Sequence, residues 1–162
     1  MNGAPVGQEL GAYPYADVLE GRAGGAAEPQ DGGSIMMVVA TDAPLEPDRL
    51  ARRAMMGLAR TGSYAADRSG DHVIAFSTAA SGRRPRVCRT PMRTAQVLRS
   101  SMSPLFLATA EATEEAIYNA IFRASTVTSA RGTLEAIPLG RTLEILARYG
   151  ALGRARLAPR GR

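Results

Sequence analysis

Gly32-Gly33-Ser34-Ile35-Met36-Met37-Val38-Val39-Ala40 is the stretch from which the rest of the chain can be read. Two glycines give the backbone freedom on approach, and the apolar, partly β-branched run after them reads as a strand buried on both faces. Ser34 therefore stands where a loop enters a core strand. Such a place suits a nucleophile made by cutting the chain just before it. With the Gly33 to Ser34 peptide bond broken, Ser34 would hold a hydroxyl and a free α-amine on one residue, and the amine could serve its own hydroxyl as base. The same residues are also what an ordinary loop before a strand looks like, so support has to come from elsewhere in the chain.

A chain of 162 residues, 45% hydrophobic and 22% charged, has the balance of a globular domain with a core of its own. Its net charge of +5 comes from arginine with no lysine at all, a pattern that reflects coding bias as readily as an anionic partner. Cys88 is the single cysteine and His72 the single histidine, so neither an internal disulfide nor a usual zinc ligand set can be assembled. No apolar run reaches membrane-spanning length, and no basic stretch followed by an apolar one opens the chain. A soluble, cytoplasmic protein without a membrane partner is expected.

Glycines and prolines break every period between Met1 and Gln30, so residues 1–33 read as a connecting segment whose Arg22 to Gly33 portion is open to cleavage. After the first strand, Pro47 and Asp48 open a helix in which Leu50, Ala54 and Leu58 share a face, while Arg49, Arg52, Arg53 and Arg60 are assigned to solvent. A second strand is expected over His72 to Thr78. Just before it come Ser69, Gly70 and Asp71. A serine and an aspartate separated by glycine can aim a hydroxyl and a carboxylate at one point, to hold an ammonium or relay a proton, although a polar turn would look the same. His72 is read as structural.

Arg83, Arg84, Arg86, Arg89, Arg93 and Arg99 form a cluster without an aromatic on which a base could stack, which disfavours nucleic acid. A long helix from Ser103 to about Ala124 is expected to bury Leu105, Phe106, Ala112, Ala116, Ile117, Ala120 and Ile121, with Glu111, Glu114 and Glu115 in solvent. A short strand near Leu134 to Ile137 and a helix carrying Leu139, Leu143 and Leu146 on one face come next, closed by Gly150. The main domain thus runs over residues 34–150, and residues 151–162 read as a basic, disordered tail. Strands and helices alternate without a phosphate-binding glycine loop, so a layered α/β sandwich fits.

In combination and in order, several segments resemble one family. They are Gly33-Ser34-Ile35; Val39 to Asp42 with Pro44 and Leu45; Leu50 to Ala54 with Gly57 and Leu58; Ser69-Gly70-Asp71; Ile74 to Thr78; Thr113 to Ala116 with Asn119; and Pro138, Leu139, Tyr149 and Gly150. The likeness is to the β-aminopeptidase and L-aminopeptidase/D-esterase group of self-processing N-terminal-serine hydrolases, peptidase family S58. The resemblance implies part of a four-layer αββα sandwich of N-terminal-nucleophile type. It implies autoprocessing between Gly33 and Ser34, Ser34 as nucleophile, and Ser69 and Asp71 as the residues that position the freed amine and assist proton transfer. Implied substrates are short peptides or amino-acid amides and esters, hydrolysed through an acyl-enzyme with no metal or cofactor. Relatives are considerably longer, and the portion preceding their cut supplies an oxyanion asparagine and much of the pocket. The expectation is therefore a C-terminal, nucleophile-bearing part that self-associates or pairs with an α-chain. An ornithine acetyltransferase-type acyltransferase would place a threonine at the cut, and a non-catalytic remnant awaiting a separately encoded partner is the other alternative.

Overall fold

The computed structural model describes residues 1–11, 33–45, 47–67, 69–82 and 101–152. The segment 12–32, the arginine cluster from Arg83 to Arg99 with Cys88, and the tail from Arg154 lie outside them. Two compact units are present, one formed by Gly32–Ile117 and the other by Met1–Asp31 with Tyr118–Arg162.

The first unit is built on strand β1 (Met36–Thr41), helix α2 (Asp48–Arg60) and strand β2 (His72–Ser77), with the short helical turn α1 (Val6–Glu9) preceding them in the chain. β1 and β2 pair in parallel, Met36 opposite His72 through to Thr41 opposite Ser77. A parallel pair needs a crossover, and α2 is that crossover. Its buried residues Leu50, Ala54, Gly57 and Leu58 follow helical spacing and form one stripe. Ala54 and Leu58 pack with Met37, and around them lie Ile35, Val39, Met55, Val73 and Ile117. A second cluster joins Leu45, Leu50 and Met102 to Leu105 and Phe106.

β1 is not buried on both faces. Met37 is buried, whereas Met36 and Val38 are exposed, as are Ile74 and Phe76 beside them on β2. Successive strand residues point to opposite faces, so α2 covers one side of the pair, and among the described residues of this unit nothing packs on the other, apolar side. Sequence shows that both faces of β1 are apolar. It does not show that something covers each.

Helix α3 spans Ser103–Arg123. Its residues as far as Ile117 belong to this unit, and the buried ones are Thr109, Ala110 and Thr113, not the expected Ala112 and Ala116. Threonine can be buried here because its hydroxyl is satisfied within the helix. Thr109 Oγ1 donates to the Leu105 carbonyl at 2.7 Å and Thr113 Oγ1 to the Thr109 carbonyl at 2.8 Å. α3 approaches α2 closely at Gly57, where an added Cβ would stand 2.5 Å from the Ala110 carbonyl oxygen and 2.6 Å from Thr113 Cβ.

The arginine face of α2 is also engaged more than expected. The guanidinium carbons of Arg49 and Arg53 sit 5.0 and 4.4 Å from the Phe106 ring centroid, and Arg60 pairs with Glu114 at 2.9 Å.

In the second unit, Ala4 and Val6 are buried with Ile145, Leu146 and Ala151, so the start of the chain contributes to a core and is not merely a connection. Helix α4 (Leu139–Arg148) buries Thr142, Ile145 and Leu146 and exposes Leu139 and Leu143. Two apolar stripes compete on this helix, and packing with α1 selects the one around Ile145. Gly150, at φ +62°, ends α4 in the left-handed conformation, and the Ala151 amide returns to the Leu146 carbonyl at 2.8 Å. The expected strand near Leu134 to Ile137 is instead an antiparallel hairpin of β3 (Val127–Ser129) and β4 (Gly132–Leu134). Among the described residues no helix is long and apolar enough to cross a membrane.

Candidate functional site

Parallel pairing extends one step before β1, where the His72 amide donates to the Ile35 carbonyl at 2.9 Å. That register sets Gly33-Ser34-Ile35 alongside Ser69-Gly70-Asp71, two segments separated by 36 residues in the chain. All four expected site residues, Gly33, Ser34, Ser69 and Asp71, meet at the entrance to the sheet.

The contacts are specific. The Gly70 amide donates to Ser34 Oγ at 3.0 Å. Ser69 Oγ lies 2.6 Å from the Gly33 carbonyl oxygen and 2.8 Å from Asp71 Oδ1. A hydroxyl has one proton, so Ser69 donates to one of these acceptors at a time. Asp71 Oδ1 also accepts the Ile35 amide at 3.3 Å, and Asp71 Oδ2 is buried without a hydrogen-bond partner. Gly33 and Ser34 are exposed, whereas Ser69 and Asp71 are partly buried. Ser34 is thus open to solvent, and Ser69 and Asp71 beside it are more sheltered.

Gly70 makes the arrangement possible. A Cβ there would stand 3.2 Å from Ser34 Oγ, tighter than an ordinary contact, and 3.7 Å from His72 Nε2. His72, given no role from sequence, therefore has its imidazole beside the same point as the Ser34 hydroxyl. The signal that could have found it is strand alternation. His72 opposes Met36, and Ser34 lies two residues before Met36 on the same side.

Chemically, the site presents an exposed hydroxyl steadied by an amide, next to a carbonyl that faces a hydroxyl donor backed by a carboxylate. Among the described residues, no group of three or more histidine, cysteine, aspartate or glutamate side chains could hold a metal ion.

Comparison with known proteins places the chain among its relatives. The chain is 37% identical over 163 aligned positions to the β-peptidyl aminopeptidase BapA of Sphingosinicella microcystinivorans, a match covering 95% of this chain and 40% of that protein. Its counterpart from Sphingosinicella xenopeptidilytica is 38% identical over 135 positions, covering 79% and 33%. The L-aminopeptidase D-Ala-esterase/amidase of Ochrobactrum anthropi, described as a variant of the Ntn-hydrolase fold, superposes with a TM-score of 0.71 at 34% identity, covering 94% of this chain and 40% of that one. The PH0078 protein of Pyrococcus horikoshii gives a TM-score of 0.71 at 42% identity, covering 91% and 38%. The described α/β units are accordingly part of an Ntn-hydrolase-type sandwich. The chain spans no more than 40% of the length of these relatives. The model of peptidase family S58 matches residues 1–135, and the chain is a member of that family.

Proposed function

We propose that this chain is the nucleophile-bearing part of a self-processing serine aminopeptidase. Ser34 is its nucleophile and Gly33–Ser34 its cleavage site. One observation carries the reading. The Gly33 carbonyl, which must be attacked for the chain to cut itself, faces the Ser69 hydroxyl at 2.6 Å. A donor at that oxygen stabilises the negative charge that develops during attack. Ser34 Oγ displaces its own amide nitrogen from Gly33, and water then hydrolyses the resulting ester. The freed α-amine becomes the base for the same hydroxyl. Asp71, whose carboxylate lies at the Ile35 amide and at Ser69 Oγ, positions that amine and takes part in proton transfer. The substrates are short peptides or amino-acid amides and esters with a free N-terminus, cleaved through an acyl-enzyme on Ser34, as the aminopeptidase names of the relatives suggest.

The open sheet face of Met36, Val38, Ile74 and Phe76 supports a further part of this reading. Parallel sheets are normally covered on both faces. We assign this one to a polypeptide corresponding to the portion of the relatives that the chain does not span. Val38→Arg should abolish binding of such a polypeptide in a pull-down, and undiminished binding would remove the assignment.

Intact-mass analysis of the purified protein, with N-terminal sequencing of fragments, tests the central claim. A fragment beginning at Ser34, absent from Ser34→Ala, is the expected result. A wild-type chain that stays whole under conditions where it is folded would overturn self-processing. Release of p-nitroaniline from amino-acid p-nitroanilides by the processed protein then tests the aminopeptidase assignment.

A further inference from the structure

The base that serves Ser34 after processing does not exist before it. In the uncut chain the Ser34 nitrogen is an amide, with its lone pair delocalised into the Gly33 carbonyl, so it cannot accept the hydroxyl proton. Self-cleavage needs a different proton acceptor for its first step. We propose that His72 is that acceptor, an inference that rests on the self-processing reading above.

Two observations support the assignment. His72 is exposed, opens β2 opposite Met36, and shares the uncovered side of the sheet with Ser34. Its Nε2 and Ser34 Oγ flank one point, the position a side chain at residue 70 would occupy, at 3.7 and 3.2 Å respectively. Two groups that flank one point can exchange a proton through one bridging water or after a rotamer change.

The other polar groups nearby are less suited. Asp71 Oδ1 is engaged by Ser69 and by the Ile35 amide, and Oδ2 is shut away from solvent. Ser69 Oγ, at the Gly33 carbonyl, acts there as a donor. An imidazole is also the side chain best matched to taking and returning a proton near neutrality.

The steps balance without an external oxidant or reductant. Ser34 Oγ–H gives its proton to His72 Nε2 as the Oγ–C bond to the Gly33 carbonyl carbon forms. The tetrahedral intermediate collapses with breakage of the C–N bond, and the imidazolium returns the proton to the departing Ser34 nitrogen. Water then cleaves the Gly33 ester, leaving the Gly33 carboxylate, the free Ser34 hydroxyl and the α-amine. From that point the amine takes over as base, and the histidine has finished its task.

The test follows appearance of the Ser34-terminated fragment by intact mass, starting from full-length chain freshly made by cell-free translation. It compares wild type, His72→Gln and His72→Asn, with and without added imidazole, and far-UV circular dichroism verifies that each variant is folded. General-base catalysis contributes on the order of a hundredfold or more, so both variants should cut at least tenfold more slowly, and imidazole should restore part of the rate. Cleavage of His72→Gln at the wild-type rate would overturn the inference and leave self-processing intact. Folded variants slowed to the same degree with and without imidazole would overturn it as well, marking His72 as structural. A wild-type chain that never cuts would end both readings together.

Discussion

Ser69 Oγ stands 2.6 Å from the carbonyl oxygen of Gly33, and that carbonyl belongs to the peptide bond joining Gly33 to Ser34. The same hydroxyl is 2.8 Å from Asp71 Oδ1, so its single proton has two destinations. In the proposed self-cleavage, donation to Gly33 would activate the carbonyl, and donation to Asp71 would remain once Gly33 had left. Loss of one oxyanion donor typically costs a hundredfold to a thousandfold in rate, so Ser69→Ala should slow fragment formation by about that much. A time course of intact mass measures it. Cleavage within about threefold of wild type would show that the hydroxyl is not used on Gly33.

At Gly57 helices α2 and α3 approach closely, and glycine is required there for a steric reason. A methyl group there would overlap the Ala110 carbonyl oxygen at 2.5 Å and Thr113 Cβ at 2.6 Å, neither of which is the free end of a flexible side chain. Glycine in a helix is ordinarily worse than alanine by up to about 1 kcal/mol, so an exposed position would gain from the substitution. Here overpacking of about 1–3 kcal/mol outweighs that gain. Gly57→Ala should therefore lower the midpoint of denaturant unfolding with little change in its slope. An unchanged or raised midpoint would mean that the helices separate at small cost.

Around Glu9 the second unit has a pH-sensitive contact. Tyr149 Oη donates to Glu9 Oε1 at 2.6 Å and Arg148 lies 3.1 Å from Oε2. The tyrosine hydrogen bond, with the neighbouring arginine charges, holds the Glu9 carboxyl below its ordinary range. The same bond, together with local desolvation, raises the Tyr149 hydroxyl above its own. For a depressed carboxylate the folded state favours the ionised form, so its contribution is present above the unfolded value of 4.5 and fades as pH falls through the folded one. For a raised phenol the contribution is full below 10.0 and fades as pH rises further. Tyr149 is exposed and Glu9 partly so, and screening by solvent keeps the effect small. Thermal melts should show the Tyr149→Phe difference from wild type at neutral pH shrinking at both extremes. A difference constant from acid to alkali would show that the pair contributes nothing.

Much of this could be read along the chain. Strand, helix, strand, long helix and final helix occur in the expected order, because each carries its own period or cap: Pro47 and Asp48 opening α2, Leu50, Ala54 and Leu58 at four-residue spacing, Gly150 closing α4. Gly33, Ser34, Ser69 and Asp71 were legible as candidates through residue type and position at strand entrances. These signals are local, and they depend on residues a few places apart.

What only the tertiary structure decided are relations between distant segments. The pairing of Met36 with His72 sets Ser34 beside Gly70 and the Gly33 carbonyl beside Ser69, and a slip of one residue would have separated them. Burial of Thr109 and Thr113 in place of Ala112 and Ala116 depends on what α3 packs against, as burial of Ile145 in place of Leu143 does on α4. The bare side of β1 follows the same logic, since an apolar strand face says only that it is suited to burial. Periodicity determines which faces a segment can bury. Contact with the rest of the molecule determines which of them it does.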